Sequence, residues 1–84
     1  MSTPSKEEMK AYILINVKLG KTNEVLAKLK KIPGITSLAV ITGEYDIIAR
    51  VETIDMNEMY NRTQEVHLID GISETTTSII QKEF

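Results

Sequence analysis

The order of strand-like and helix-like segments is the feature that most restricts how this chain can fold. Alternating, β-branched stretches predict four strands, at 11–18, 35–42, 45–53 and 72–81. Apolar residues recur at helical spacing between the first two strands and again between the last two. The order β-α-β-β-α-β predicts an α+β, ferredoxin-like sandwich, in which two helices cover one face of a four-stranded antiparallel sheet.

Residues that satisfy free backbone groups mark the ends of both helices. In the first helix, a side-chain oxygen of Thr22 or Asn23 is predicted to cap the N-terminus. The Pro-Gly pair at 33–34 ends that helix. In the second helix, Asp55 and Glu58 have the spacing of a capping box.

A glycine-led pair separates the second and third strands. Gly43 and Glu44 are the only residues between the two predicted strands. A two-residue loop with glycine first is typical of a type II′ turn, which joins antiparallel neighbours. The sequence therefore predicts a tight β-hairpin at this point.

Apolar residues fall on both faces of the predicted sheet. One set, predicted to face the helices, comprises Ile13, Ile15, Val17, Ile47, Ala49 and Val51. The opposite set comprises Leu14, Leu38, Val40, Ile48 and Ile79. Because two helices cover only one face, we expect the other face to pack against a second copy of the chain. The alternative is a one-residue error of register, which would exchange the two sets in a strand.

Length and composition restrict the class of protein further. The 84 residues allow one domain at 10–84, preceded by a polar segment at 1–9 that we expect to be a flexible tail. Cysteine is absent and His67 is the single histidine, so no metal, cofactor or catalytic histidine site is expected. The net charge of −2 disfavours nucleic-acid binding. Without a long apolar segment or a signal peptide, we expect a cytoplasmic location and no membrane contact.

Two polar segments have the chemistry of a small-molecule site. The hairpin 42–46 offers backbone N–H groups, which can receive a carboxylate, and Asp46, which can receive an ammonium group. Together these match the two charges of an amino acid. Four successive hydroxyl side chains at 75–78 could orient a polar ligand. The structural alternative is that Gly43 only makes the turn and that the threonines only favour a strand.

With this hairpin and element order, the chain resembles the effector domain of the Lrp/AsnC family, also called the RAM domain (regulation of amino-acid metabolism). The resemblance covers about residues 10–84. It is carried by Leu38–Gly43, Tyr45-Asp46-Ile47, Val51, Asp55, Gly71-Ile72 and Thr75-x-Thr77-x-Ile79.

The resemblance implies a binding module that is not an enzyme. Dimers would form through the sheets and assemble into rings, with amino-acid effectors bound between dimers near the hairpin. The positions that match the family's ligand region are Gly43, Tyr45, Asp46, Thr75 and Thr77. Full-length members carry a helix-turn-helix domain, which has no counterpart in this sequence. The resemblance therefore implies a stand-alone effector domain that does not bind DNA itself and modulates transcription through a full-length partner regulator.

Two other functions fit the same order of elements. In an ACT-like amino-acid sensor, the ligand would lie at the first strand–helix loop, Leu19–Thr22, so perturbation at Gly20 rather than Gly43 would indicate it. A small dimeric ferredoxin-like enzyme would need a histidine or carboxylates facing a cavity. His67 alone, near the end of a helix, gives that alternative little support.

Overall fold

The computed structural model describes residues 8–84 and confirms the predicted order of elements. The strands and helices are β1 (Met9–Val17), α1 (Thr22–Leu29), β2 (Ile35–Val40), β3 (Ile47–Thr53), α2 (Met56–His67) and β4 (Ile72–Ile79). Residues 1–7 of the expected tail lie outside the described residues, and Met9, at its end, is the first residue of β1.

The four strands form one antiparallel sheet in the order β2-β3-β1-β4. Ile15 is the clearest reference point, because it pairs with Ile47 of β3 on one side and with Thr75 of β4 on the other. Bulges shift the register between Ile35 and Ser37 in β2 and near the end of β1. The strands at the two edges, β2 and β4, are the ones with these irregular pairings.

The hydrophobic core lies between the sheet and the two helices. It is made of Ala11, Ile13, Ile15, Val25, Leu29, Ile47, Ala49, Val51, Met59 and Val66, each no more than 2% exposed. Burying one large aliphatic side chain contributes about 1.5–3 kcal/mol. The helix-facing set predicted from β1 and β3 is confirmed, with Val17 half-buried against this core.

The opposite side of the sheet, called here the open face, has no helix packed on it. Cross-strand pairing places Tyr12, Leu14, Ala39, Ile48, Arg50, Thr76 and Ser78 on it. Leu14 and Ile48 were predicted there, and that prediction is confirmed.

The rest of the predicted second apolar set was assigned to the wrong side. Leu38 pairs with Ala49, Val40 with Ile47 and Ile79 with Ala11, and all three of those partners face the helices. A one-residue offset in β2 and β4 accounts for the error, since side chains alternate between faces. The open face is therefore apolar only around Leu14 and Ile48.

The two helix starts differ in how they are capped. Asp55 caps α2, because its Oδ1 accepts the Glu58 backbone N–H at 2.8 Å, as predicted. The Glu58 side chain in turn accepts the Ile54 N–H at 2.9 Å. The prediction for α1 is wrong: Lys21 is its N-cap residue and supplies no side-chain bond. A turn closed by the Lys21 N–H and the Lys18 carbonyl, at 3.0 Å, fixes the helix start one residue earlier.

The helices are also short. Among residues 8–84, neither is long and apolar enough to cross a membrane.

Candidate functional site

The connection between β2 and β3 is wider than the predicted two-residue turn. Val40 ends β2 and Ile47 begins β3, so the loop comprises residues 41–46. A hydrogen bond from the Ile41 N–H to the Asp46 carbonyl, 2.9 Å, closes its base. Gly43 lies at the exposed tip with φ of +133°, a conformation that side chains with a Cβ rarely adopt. The antiparallel hairpin is confirmed, but the type II′ turn is not.

Asp46 joins this loop to the neighbouring strand β1. Its backbone N–H donates to the Ile15 carbonyl at 2.9 Å, and its Oδ2 accepts the Val17 N–H, also at 2.9 Å. Regular pairing of β1 with β3 ends at Ile15 and Ile47, so the carboxylate supplies an acceptor just beyond the end of the ladder. Asp46 is half-buried, and its bond to Val17 gives it a structural role. That bond uses Oδ2 and does not involve Oδ1.

Tyr45 reaches across β1 to the far edge of the sheet. Its hydroxyl lies 3.2 Å from the Thr76 Oγ1. Thr76 pairs with Leu14, so this contact lies on the open face. Sequence reasoning selected Thr75 and Thr77 and missed Thr76 as the partner of Tyr45. The signal that identifies it is the pairing register of β4, which the sequence alone does not give.

Thr75 and Thr77 occupy the other side of β4. They pair with Ile15 and Ile13, whose side chains are buried against the helices. The Thr75 Oγ1 lies 3.5 Å from the His67 Nδ1 at the end of α2. Within one chain, Tyr45 and these two threonines therefore lie on opposite sides of the sheet.

The loop has the groups that an amino acid requires. The exposed positions 42–44 belong to no strand, which leaves their backbone N–H groups outside the sheet pairing. Asp46 provides a carboxylate at the base of the same loop. N–H groups of this kind suit a ligand carboxylate, and an aspartate suits a ligand ammonium group.

A second polar cluster, centred on Arg50, lies at the other end of the open face. The Arg50 Nη1 lies 2.8 Å from Glu83 Oε2 and 3.1 Å from the Tyr12 hydroxyl, and its Nε lies 3.1 Å from Glu52 Oε2. The guanidinium carbon also stands 5.6 Å from the centre of the Tyr12 ring. The Lys10 Nζ approaches the other oxygen of Glu83 at 3.4 Å. Sequence reasoning missed this cluster because its members are far apart in the chain.

Two members of this cluster, Arg50 and Glu83, have pKa values that are shifted by their neighbours. The hydrogen bonds that Arg50 donates to Glu83 and then to Glu52 raise its pKa further above its usual range. The hydrogen bond from Arg50 lowers the pKa of Glu83, against a smaller opposing effect of burial. Both groups are therefore held in their charged forms. Across residues 8–84, no cluster of three or more histidine, aspartate or glutamate side chains could hold a metal ion.

Comparison with known proteins gives a consistent match. The family model described as "Lrp/AsnC ligand binding domain" matches residues 10–84. The HTH-type transcriptional regulator FL11 of Pyrococcus furiosus is 40% identical over 72 residues, which cover 86% of this chain and 48% of the regulator. The chain thus spans about half the length of the curated regulators named here, which include the FL11 regulator of Pyrococcus horikoshii.

Two further likenesses concern a small protein and a large enzyme. The crystal structure of FFRP-DM1 superimposes with a TM-score of 0.81 at 33% identity, covering 86% of this chain and 97% of that one. The homocitrate synthase of Sulfurisphaera tokodaii is 36% identical over 62 residues, which cover 74% of this chain and 14% of the enzyme. A domain of this kind thus resembles parts of proteins of very different size.

Proposed function

The chain belongs to the Lrp/AsnC ligand-binding domain family, and we propose that it is a self-associating module that binds an amino acid and modulates transcription through a partner regulator. The match of residues 10–84 to a ligand-binding domain carries this proposal. The relatives named as HTH-type transcriptional regulators support the regulatory part of it.

The hairpin at 41–46 is the proposed contact region for the amino acid. Its tip would receive the ligand carboxylate near Gly43, and the Asp46 carboxylate would receive the ammonium group. Tyr45, half-buried beside them, would limit the size of the ligand side chain. Asp46 would then serve both the ligand and the Val17 N–H, through its two different oxygens.

We place the effector between dimers, where more than one chain contributes to the site. Thr75 and Thr77 lie on the helix side of β4, away from the hairpin of their own chain. Their proposed role in binding therefore requires a neighbouring chain. A ring of dimers would supply such a neighbour.

The open face is the proposed dimer interface. Leu14 and Ile48 are cross-strand partners at its centre, and neither is covered by a helix. Packing this region against a second copy would remove apolar surface from water, which favours association.

The proposed route to transcription is co-assembly in the cytoplasm with a regulator that itself binds DNA. The net charge of −2 disfavours binding of this chain alone to nucleic-acid phosphates. A gel shift with the chain alone should show no specific complex. A changed shift when a full-length regulator is also present would support co-assembly.

A thermal-shift screen against the twenty amino acids tests the proposed ligand class. A ligand at 100 times its Kd stabilises the folded state by about 2.7 kcal/mol. For a domain of this size the Tm should then rise by several degrees. The absence of a shift with every amino acid at millimolar concentration would contradict the proposal.

The homocitrate synthase match favours a second candidate function. A related segment forms 14% of that enzyme, so a module of this kind could respond to an effector on behalf of a biosynthetic enzyme. Native mass spectrometry of the chain mixed with a full-length Lrp/AsnC regulator separates the candidates. Mixed oligomers support the transcriptional role, whereas their absence together with amino-acid binding supports the second candidate.

A further inference from the structure

Residues 80–84, which follow β4, lie beside the start of β1. The Ile80 N–H donates to the Lys10 carbonyl at 2.8 Å. The Glu83 carboxylate then reaches Arg50, whose backbone pairs with Tyr12 on the open face. This C-terminal segment therefore contributes a charged group to the face that we propose for dimerisation.

The charges around Arg50 cancel only when Glu83 is included. Lys10 and Arg50 are positive, and Glu52 and Glu83 are negative. Glu83 is the member that contacts both cations, one with each carboxylate oxygen. Without it the four-residue cluster would carry an excess positive charge. Glu8, 4.0 Å from Lys10 and largely exposed, lies at its margin.

The Arg50 side chain is only 19% exposed within a single chain, so most of its surroundings are already protein. A second copy packed on the open face would remove much of the remaining water. Burying an unpaired charge is costly, whereas a hydrogen-bonded set of balanced charges loses far less on burial. The balance of this cluster therefore determines how easily the face can be covered.

We propose that the C-terminal segment is part of the dimer interface, with Glu83 as the residue that allows the Arg50 end of the open face to be buried against a second copy. This inference rests on the proposed dimerisation through the open face. It adds to that proposal the requirement that Glu83, which lies outside the sheet, is present for tight association.

Sedimentation equilibrium on Glu83→Gln and Arg50→Gln tests the role of charge balance. Each single variant unbalances the cluster, so each should raise the dimer Kd by about tenfold. The double variant leaves Lys10 and Glu52 as a balanced pair, and it should recover most of the lost affinity. Glu24→Gln, on the exposed side of α1, makes the same change in net charge as Glu83→Gln and should leave the Kd unchanged.

Circular dichroism of each variant confirms that the fold is retained. If the wild-type chain forms a dimer and Glu83→Gln has the same dimer Kd or a lower one, this inference is overturned, while the proposed dimer stands. A failure of the double variant to recover would also overturn it. A wild-type chain that stays monomeric at millimolar concentration would instead overturn the proposed dimer itself.

Discussion

The Asp46 carboxylate accepts the backbone N–H of Val17, with 2.9 Å between Oδ2 and the nitrogen. This bond connects the loop of the candidate ligand site to the end of a central strand. The proposed ligand contact and the sheet therefore share one side chain. Two substitutions at this position are therefore needed, one that removes only the charge and one that also removes the hydrogen-bond acceptor.

Asp46→Asn keeps an oxygen that can accept the Val17 N–H but removes the negative charge. We expect the fold and the oligomer to survive, while the affinity for an amino-acid ligand falls by about 30-fold or more. Asp46→Ala also removes the acceptor and should cost about 1–3 kcal/mol of stability. Isothermal titration calorimetry and urea unfolding measure the two effects. Affinity unchanged within about threefold in Asp46→Asn would exclude the ligand contact.

Leu14→Asp should dissociate the proposed dimer. Leu14 lies at the centre of the open face, and an unpaired carboxylate buried there should weaken association by about 100-fold or more. Val40→Asp is the matched control, because Val40 pairs with Ile47 on the helix side and is 61% exposed. Light scattering should show monomers for the first variant and dimers for the second. The reverse result would place the interface at the edge of the sheet.

Gly71→Ala should destabilise the fold more than Gly43→Ala. Both glycines have positive φ, +103° and +133°, which should cost about 1–3 kcal/mol with a Cβ present. A Cβ at Gly71 would also stand 3.0 Å from Val25 Cγ2, whereas at Gly43 it would meet no atom within 4 Å. Overpacking should add about 1 kcal/mol or more. Urea unfolding at a fixed protein concentration measures the free energy of unfolding of both variants. Equal losses of stability would contradict the predicted contact between a Cβ at position 71 and Val25.

The Glu83 carboxyl should titrate below its ordinary pKa of 4.5, because Arg50 donates a hydrogen bond to its charged form. With a lowered pKa, the contribution of this group to stability is complete above 4.5 and is lost as the pH falls through the folded-state value. Carboxyl carbon NMR measures the midpoint. In Arg50→Gln the midpoint should move upward, since the largest cause of the shift is gone. An unchanged midpoint would mean that the ion pair does not form in solution.

The sequence predicted the element order and the helix-facing side of the central strands because both depend on local patterns. Ala11, Ile13 and Ile15 are the small or β-branched residues of a two-residue repeat, and burial follows that alternation. The Asp55 cap of α2 was also predictable, since it depends on two residues three positions apart.

The errors arose where pairing between distant strands decides the structure. Leu38 and Ile79 lie in edge strands, and their faces depend on registers that the sequence does not encode locally. The base of the hairpin loop is likewise tied to β1, because Asp46 bonds to Ile15 and Val17, about 30 residues earlier in the chain. The contacts of Tyr45 with Thr76 and of Arg50 with Glu83 likewise join segments about 30 residues apart.

The hydrogen bond between Ile80 and Lys10 holds the beginning and the end of the folded unit side by side. A polypeptide can therefore enter and leave this domain at one corner, without a long connection around it. Domains with adjacent ends can be inserted into, or appended to, other chains with little disturbance to either partner. This architecture agrees with the occurrence of similar segments in proteins as different as a regulator of about twice this chain's length and a much larger enzyme.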